Sequence, residues 1–162
     1  MQIKEWAEKM SREGMVCTEY TRKIAMAYTK SEIFRILCDA NGGFHIFDMH
    51  ASGVKMPVDE LVTEYAMLIN GRKVVEYPQG YTSKFYCRYA GEIVADTTLV
   101  YVMESADVEV TVPKNRYPSV ILSRGSSAMF AMEPGSRLNI ELYGDASYTL
   151  SGDIRNVRVR RH

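Results

Sequence analysis

Two of the three histidines, His45 and His50, fall within Gly43-Phe44-His45-Ile46-Phe47-Asp48-Met49-His50. Imidazole and carboxylate together suit zinc or iron, so a metal centre here needs His45, Asp48 and His50 to converge. Their spacing works against it. On a strand Asp48 and His50 share a face while His45 points away; on a helix His45 and Asp48 share a face while His50 departs. The expectation is a turn in which Asp48 and His50 hydrogen-bond, with no metal and no cofactor.

Nucleophilic chemistry fares no better. Ser123-Arg124-Gly125-Ser126-Ser127 lacks the G-x-S-x-G spacing and reads as a hairpin turn. Cys17 and Cys38 fall on apolar helix faces, and Cys87 alternates with Phe85 and Tyr89 on the apolar side of a strand, where a thiol packs as a small hydrophobe. Neither a P-loop nor G-x-G-x-x-G occurs, and Asn41-Gly42-Gly43 is a helix stop. No catalytic residue is assigned, and the chain is expected not to be an enzyme.

Binding chemistry has two footholds. Lys84, Tyr86 and Arg88 alternate onto one face of a strand, and an aromatic ring between two cations can stack a base or a sugar. Residues 21–37 have the outline of a helix-turn-helix, with Lys30 and Arg35 as its nucleic-acid contacts. Thr29 stands where the turn glycine belongs, Arg35 takes an inward position, and Glu32 and Asp39 counter the two cations. Nucleic-acid binding is therefore disfavoured, because phosphate contacts need cations that are free.

The elements that position these residues change character near Asn70. Before it the apolar period is helical. Ile3, Trp6, Ala7 and Met10 make one stripe, ended by Gly14, and Cys17, Tyr20, Ile24 and Tyr28 make a second. Thr29 and Glu32 form a capping box that opens a third helix with Ile33, Phe34 and Leu37. Pro57, Asp59 and Glu60 open a fourth, whose buried stripe is Val58, Leu61, Val62, Tyr65, Leu68 and Ile69 and whose stop is Asn70-Gly71.

From Lys73 the period is two. Val108, Val110 and Val112 alternate with Asp107, Glu109 and Thr111, and Leu138, Ile140 and Leu142 alternate with Arg137, Asn139 and Glu141. Gly125, Gly135, Gly144 and Gly152 punctuate this half at intervals that fit a strand of about five residues plus a turn. The last strand, rich in arginine from Arg155 to Arg161, reads as a guarded sheet edge.

The predicted architecture is α+β: a helical module over residues 1–72 with about four helices, then an all-β module over residues 73–162 of short, sequentially paired strands. A solenoid-like stack ranks ahead of a small sandwich or meander, since nothing in this half resembles a crossover helix. The 162 residues carry 20 Lys+Arg against 20 Asp+Glu, so no net field draws the chain toward nucleic acid or an anionic membrane. No apolar run approaches a membrane span, and Lys4, Glu5, Glu8 and Lys9 break up the start as no secretory signal allows. Three well-separated cysteines exclude a disulfide framework and point to the cytoplasm. The expected function is that of a non-enzymatic structural or assembly protein, a homo-oligomer that docks to protein partners in a larger complex. A virion, appendage or cytoskeletal component fits by fold analogy. A ligand-binding module on the tyrosine-rich sheet and a nucleic-acid regulator are the alternatives.

Overall fold

The structure is a computed structural model that describes residues 59–75 and 81–162 without a break, together with Phe47, residues 49–56 and isolated positions between Glu5 and Glu32. Strands β1 (Val74–Val75), β2 (Thr82–Cys87), β4 (Leu99–Met103), β6 (Ser119–Leu122), β8 (Leu138–Leu142) and β10 (Val157–Arg161) form one sheet. Strands β3 (Ala90–Val94), β5 (Asp107–Val112), β7 (Ser127–Met132) and β9 (Ser147–Gly152) form the other. From β2 onward, strands consecutive in sequence lie in opposite sheets, and each pairs in parallel with a strand one turn later, Asp107 with Ser127 and Ser127 with Ser147. The chain is β-rich and builds a β-solenoid of about four turns.

Parallel pairing corrects the expectation of hairpins. The turn at Ser123-Arg124-Gly125-Ser126 carries the chain across from one sheet to the other, closed by Ser126 N donating to Ser123 O at 3.2 Å. Arg124 (φ 52°) and Gly125 (φ 74°) are both left-handed there, the backbone that also makes a tight hairpin, so the turn residues alone do not distinguish the two. Burial does. Each strand sets its apolar face against the opposite sheet, so sequence neighbours meet face to face and the ladder partner is supplied by the next turn. Val100, Val120 and Ile140 from one sheet and Val110 and Phe130 from the other fill the interior, none more than 1% exposed. The alternation read at Asp107–Val112 and Leu138–Leu142 is the alternation observed.

A second core lies outside the first sheet. Phe85, Cys87, Tyr101 and Met103 project away from the solenoid interior and pack with Phe47, Leu61, Val62 and Ala66. The helix that supplies part of this cover, α1 (Asp59–Leu68), starts where Asp59 Oδ2 accepts from Met56 N at 3.0 Å. Its buried face includes Leu61, Val62 and Ala66, with Tyr65 and Ile69 partly covered. Leu68, assigned to the stripe from its spacing, sits at the flank of that face and is 72% exposed. Asn70 ends the helix as its sequence indicated and does more. Its side chain accepts from Cys87 N at 2.7 Å and donates to Cys87 O at 3.1 Å, pinning the helix end to β2.

The three helices expected ahead of α1, and with them the count of about four, lie outside the described residues. One piece of that reading is visible: Glu32 N donates to Thr29 Oγ1 at 3.1 Å while Thr29 N donates to Glu32 Oε2 at 3.0 Å, the reciprocal capping box.

Gly152 and Gly135 both have left-handed backbone, but a Cβ on Gly152 would meet Met132 O at 2.3 Å whereas one on Gly135 meets nothing within 4 Å. Gly135→Ala is expected to cost about 1 kcal/mol from its backbone alone, and Gly152→Ala at least about twice that. Urea unfolding midpoints check the difference; equal losses would refute the close approach of the two rungs.

Candidate functional site

His50 is buried to 0% exposure, and among the described residues its partner is Asp59; the expected bond to Asp48 falls on a residue outside them. Nδ1 lies 2.7 Å from Asp59 Oδ1, and Nε2 lies 3.1 Å from Glu104 Oε1 without the alignment of a hydrogen bond. Arg124 closes the group: Nε donates to the His50 carbonyl at 2.8 Å, one terminal nitrogen to Glu104 at 3.1 Å and the other to Asp59 at 3.3 Å. Asp48 and His45 lie outside the described residues, and among the described residues no cluster of His, Cys, Asp and Glu is arranged to hold a metal ion.

Each member arrives from a different element. Asp59 opens α1, Glu104 (φ 54°) follows β4, and Arg124 follows β6 one rung on. The guanidinium spans both carboxylates. The cluster is thus a clasp between helix and solenoid, with two turns of the solenoid gripped at once. Asp59, Glu104 and Arg124 were missed as a group because they are far apart in sequence. A usable signal existed in part: Leu99–Met103 is an unbroken apolar run, which marks a strand buried on both faces and hence a cover beyond it.

That two-sided burial also corrects the ligand-binding assignment of Lys84, Tyr86 and Arg88. Lys84 pairs in register with Val100 and Tyr86 with Val102, so Lys84 and Tyr86 face the solenoid interior at its first rung. Tyr86 is 5% exposed, with its ring centroid 5.2 Å from that of Tyr89. Burial, then the charge of Asp96, raises its phenol pKa. Lys84 reaches out of the interior to Asp96 at 2.7 Å, and Arg88 (φ 51°) turns the corner. These residues close the first end of the solenoid and offer no open stacking face. Lys30 and Arg35, the nucleic-acid candidates, lie outside the described residues.

The far end is built differently. Tyr148, Leu150 and Val157 are only partly buried against the interior core, while Ile154 and Val159 are 50% and 40% exposed. Among the described residues no strand pairs with the outer edge of β9 or β10. The expected arginine guard stands on β10, but β9 carries no charged residue.

Beside this end, no element among the described residues lies over the outer face of the first sheet, since α1 and its neighbours pack over β2, β4 and β6. A groove of about 590 Å³ runs over this face, lined by Tyr117, Arg137, Asn139, Arg155, Asn156 and Arg158 among others. The Arg137 guanidinium sits 5.0 Å over the Tyr117 ring. Arg155 grips Asp153 through two bonds of 2.7 and 2.8 Å, which together with the Gly135 amide hold that carboxyl well below the usual range. Arg137 and Arg158 have no carboxylate partner among the described residues.

Comparison with protein-family models, curated proteins and solved structures finds no match to this chain. Among the described residues no helix is long and apolar enough to cross a membrane.

Arg124→Met is expected to lower stability by about 2 kcal/mol, since it leaves two partly buried carboxylates around His50 without their cation. Pairing it with Glu104→Gln in a double-mutant cycle should return a coupling of about 1 kcal/mol. Additive losses would mean that the clasp is not formed in solution. Burial and the nearby Glu104 push the Cys87 thiol up to about 11, against the smaller opposing pull of Arg88 and Arg124. Iodoacetamide at pH 8 should therefore leave Cys87 unmodified in the native protein and alkylate it after denaturation, as read by peptide mass spectrometry.

Proposed function

We propose that the protein is a non-enzymatic assembly module that self-associates through the open end of its solenoid and docks to a larger complex. The observation that carries this reading is the contrast between the two ends. At the first, β1 and Asn70 cover the edge of β2, Lys84, Asp96, Tyr86 and the partly buried Tyr89 close the interior beneath it, and the edge of β3, unpaired among the described residues, carries Glu92. At the last, apolar side chains of the interior column stand half open beside an uncharged strand edge. A stacked-repeat protein whose last rung carries charge on only one of its two strands has, along the other, an edge suited to a further repeat, supplied here by a second copy of the chain.

Two further observations support contact over turnover. The solenoid interior is packed solid with apolar side chains. The buried cluster with acid–base character among the described residues, around His50, has its carboxylates spanned by Arg124. Virion, appendage and cytoskeletal assemblies are the kinds of object this architecture serves, by fold analogy alone. The reading places the chain in the cytoplasm, where its cysteines stay reduced.

Light scattering coupled to size exclusion is expected to show a mass above the 18.4 kDa of one chain that rises with concentration. Thr149→Arg, on the exposed side of β9, and Leu150→Lys, on its inner side, should each shift the population toward monomer with the circular dichroism spectrum kept. A strict monomer up to about 1 mM, where even a millimolar dissociation constant is visible, would overturn the proposal.

A further inference from the structure

We propose that the groove between Tyr117 and Arg158 is the docking site for an acidic segment of a partner protein, bound through Asp or Glu carboxylates on Arg137 and Arg158. This deepens the docking half of the proposed function and rests on it, but uses a different surface from the open end. Arg137, Asn139 and Arg158 project from the outer face of the sheet, away from the interior column that the last rung leaves exposed.

Charge complementarity is the first argument. Arg137 precedes Leu138, which registers with Val157, and Arg158 registers with Asn139, so Arg137 and Arg158 project from the same face of neighbouring strands. Neighbouring strands lie about 4.8 Å apart, so two guanidinium groups are held close on one face. Neither has a carboxylate partner among the described residues. Cations gathered this closely repel one another, and a carboxylate laid across them removes that cost. Glu141, the nearest acid on β8, is already engaged by Arg160 at 3.5 Å and His162 at 2.6 Å.

The second argument is the form of the donors. A guanidinium presents a planar fork that matches a carboxylate through two parallel bonds. The corner of this groove shows that pairing within the chain: Arg155 holds Asp153 side-on through two nitrogens. Arg137 and Arg158 offer the same fork unoccupied, with the amides of Asn139 and Asn156 beside them to bond a peptide backbone. Tyr117, 59% exposed and stacked under Arg137, fixes that guanidinium and supplies an apolar wall for the segment's methylene groups. The groove volume of about 590 Å³ accommodates two or three acidic residues, with the rest of the segment running along the face.

The test is a calorimetric titration of the full chain with a hexaglutamate peptide, a hexalysine peptide and a single-stranded oligonucleotide of equal charge to the first. Hexaglutamate is expected to bind, with affinity falling as salt rises, and hexalysine is expected not to. Arg137→Gln and Arg158→Gln should each weaken binding about tenfold. Arg158→Lys, which keeps the charge and loses the fork, should recover only part of the loss. Tighter binding of the oligonucleotide would overturn the assignment, as would hexaglutamate binding that Arg137→Gln and Arg158→Gln both leave unchanged. No binding of hexaglutamate, with the parent still oligomeric by light scattering, would sink the groove and leave the assembly reading standing. A monomeric parent that binds hexaglutamate would do the reverse.

Discussion

The fold depends on one constraint: an apolar column assembled from short strands must be enclosed along its whole length, and the rungs enclose it only sideways. Each strand of four to six residues from β2 onward is too short to hold a place alone. Its ladder bonds run to the rungs above and below, and its side chains press against the opposite sheet. Stability is therefore passed from rung to rung, as in any stack of nearest neighbours, and the ends decide what the stack can do. At the first end the chain closes the column with its own residues. At the last the column remains accessible.

The clasp around His50 follows from the same constraint. Two apolar cores meet the first sheet from opposite sides, and non-directional packing alone would let the helix slide along the strands. Asp59 at the helix start, Glu104 on one rung and Arg124 on the next fix its height, because the bonds form only when those three are level. Such a cluster adds little net stability after desolvation, and its value lies in setting position. That position determines which strands are covered. With α1, Phe47 and residues 49–56 held over β2, β4 and β6, no described residue covers the outer faces of β8 and β10, and the groove lies there.

Local chemistry was legible in the sequence where one residue acts on its near neighbours. The capping box at Thr29 and Glu32, the stop at Asn70, the alternation in β5 and β8 and the arginines at a sheet edge all stand where short-range patterns put them. What escaped involved partners distant in sequence. Turns at Gly125 and Gly144 look alike whether they join strands side by side or face to face, so the parallel pairing was hidden. The alternation in β2 implied one wet face at Lys84, Tyr86 and Arg88, whereas Lys84 and Tyr86 look into the solenoid and the opposite face of the strand looks into a second core. His50 was singled out for its chemistry, but the clasp was invisible because Asp59, Glu104 and Arg124 come together only once the rungs are in register.

Net charge was the least informative of the sequence quantities, and the fold explains why. Twenty cations and twenty anions cancel in the total, yet the structure does not mix them evenly. Arg137 and Arg158 share the outer face of one sheet, while Glu92 and Glu109 pair in register on the outer face of the other. At physiological salt a charge is felt over only about 8 Å, a distance shorter than the separation of two packed sheets, about 10 Å. A partner approaching the arginine face therefore senses a cationic surface and not a neutral protein. A solenoid makes such segregation easy, since each turn returns the chain to the same face, and residues one turn apart accumulate as a column whatever the sum over the sequence.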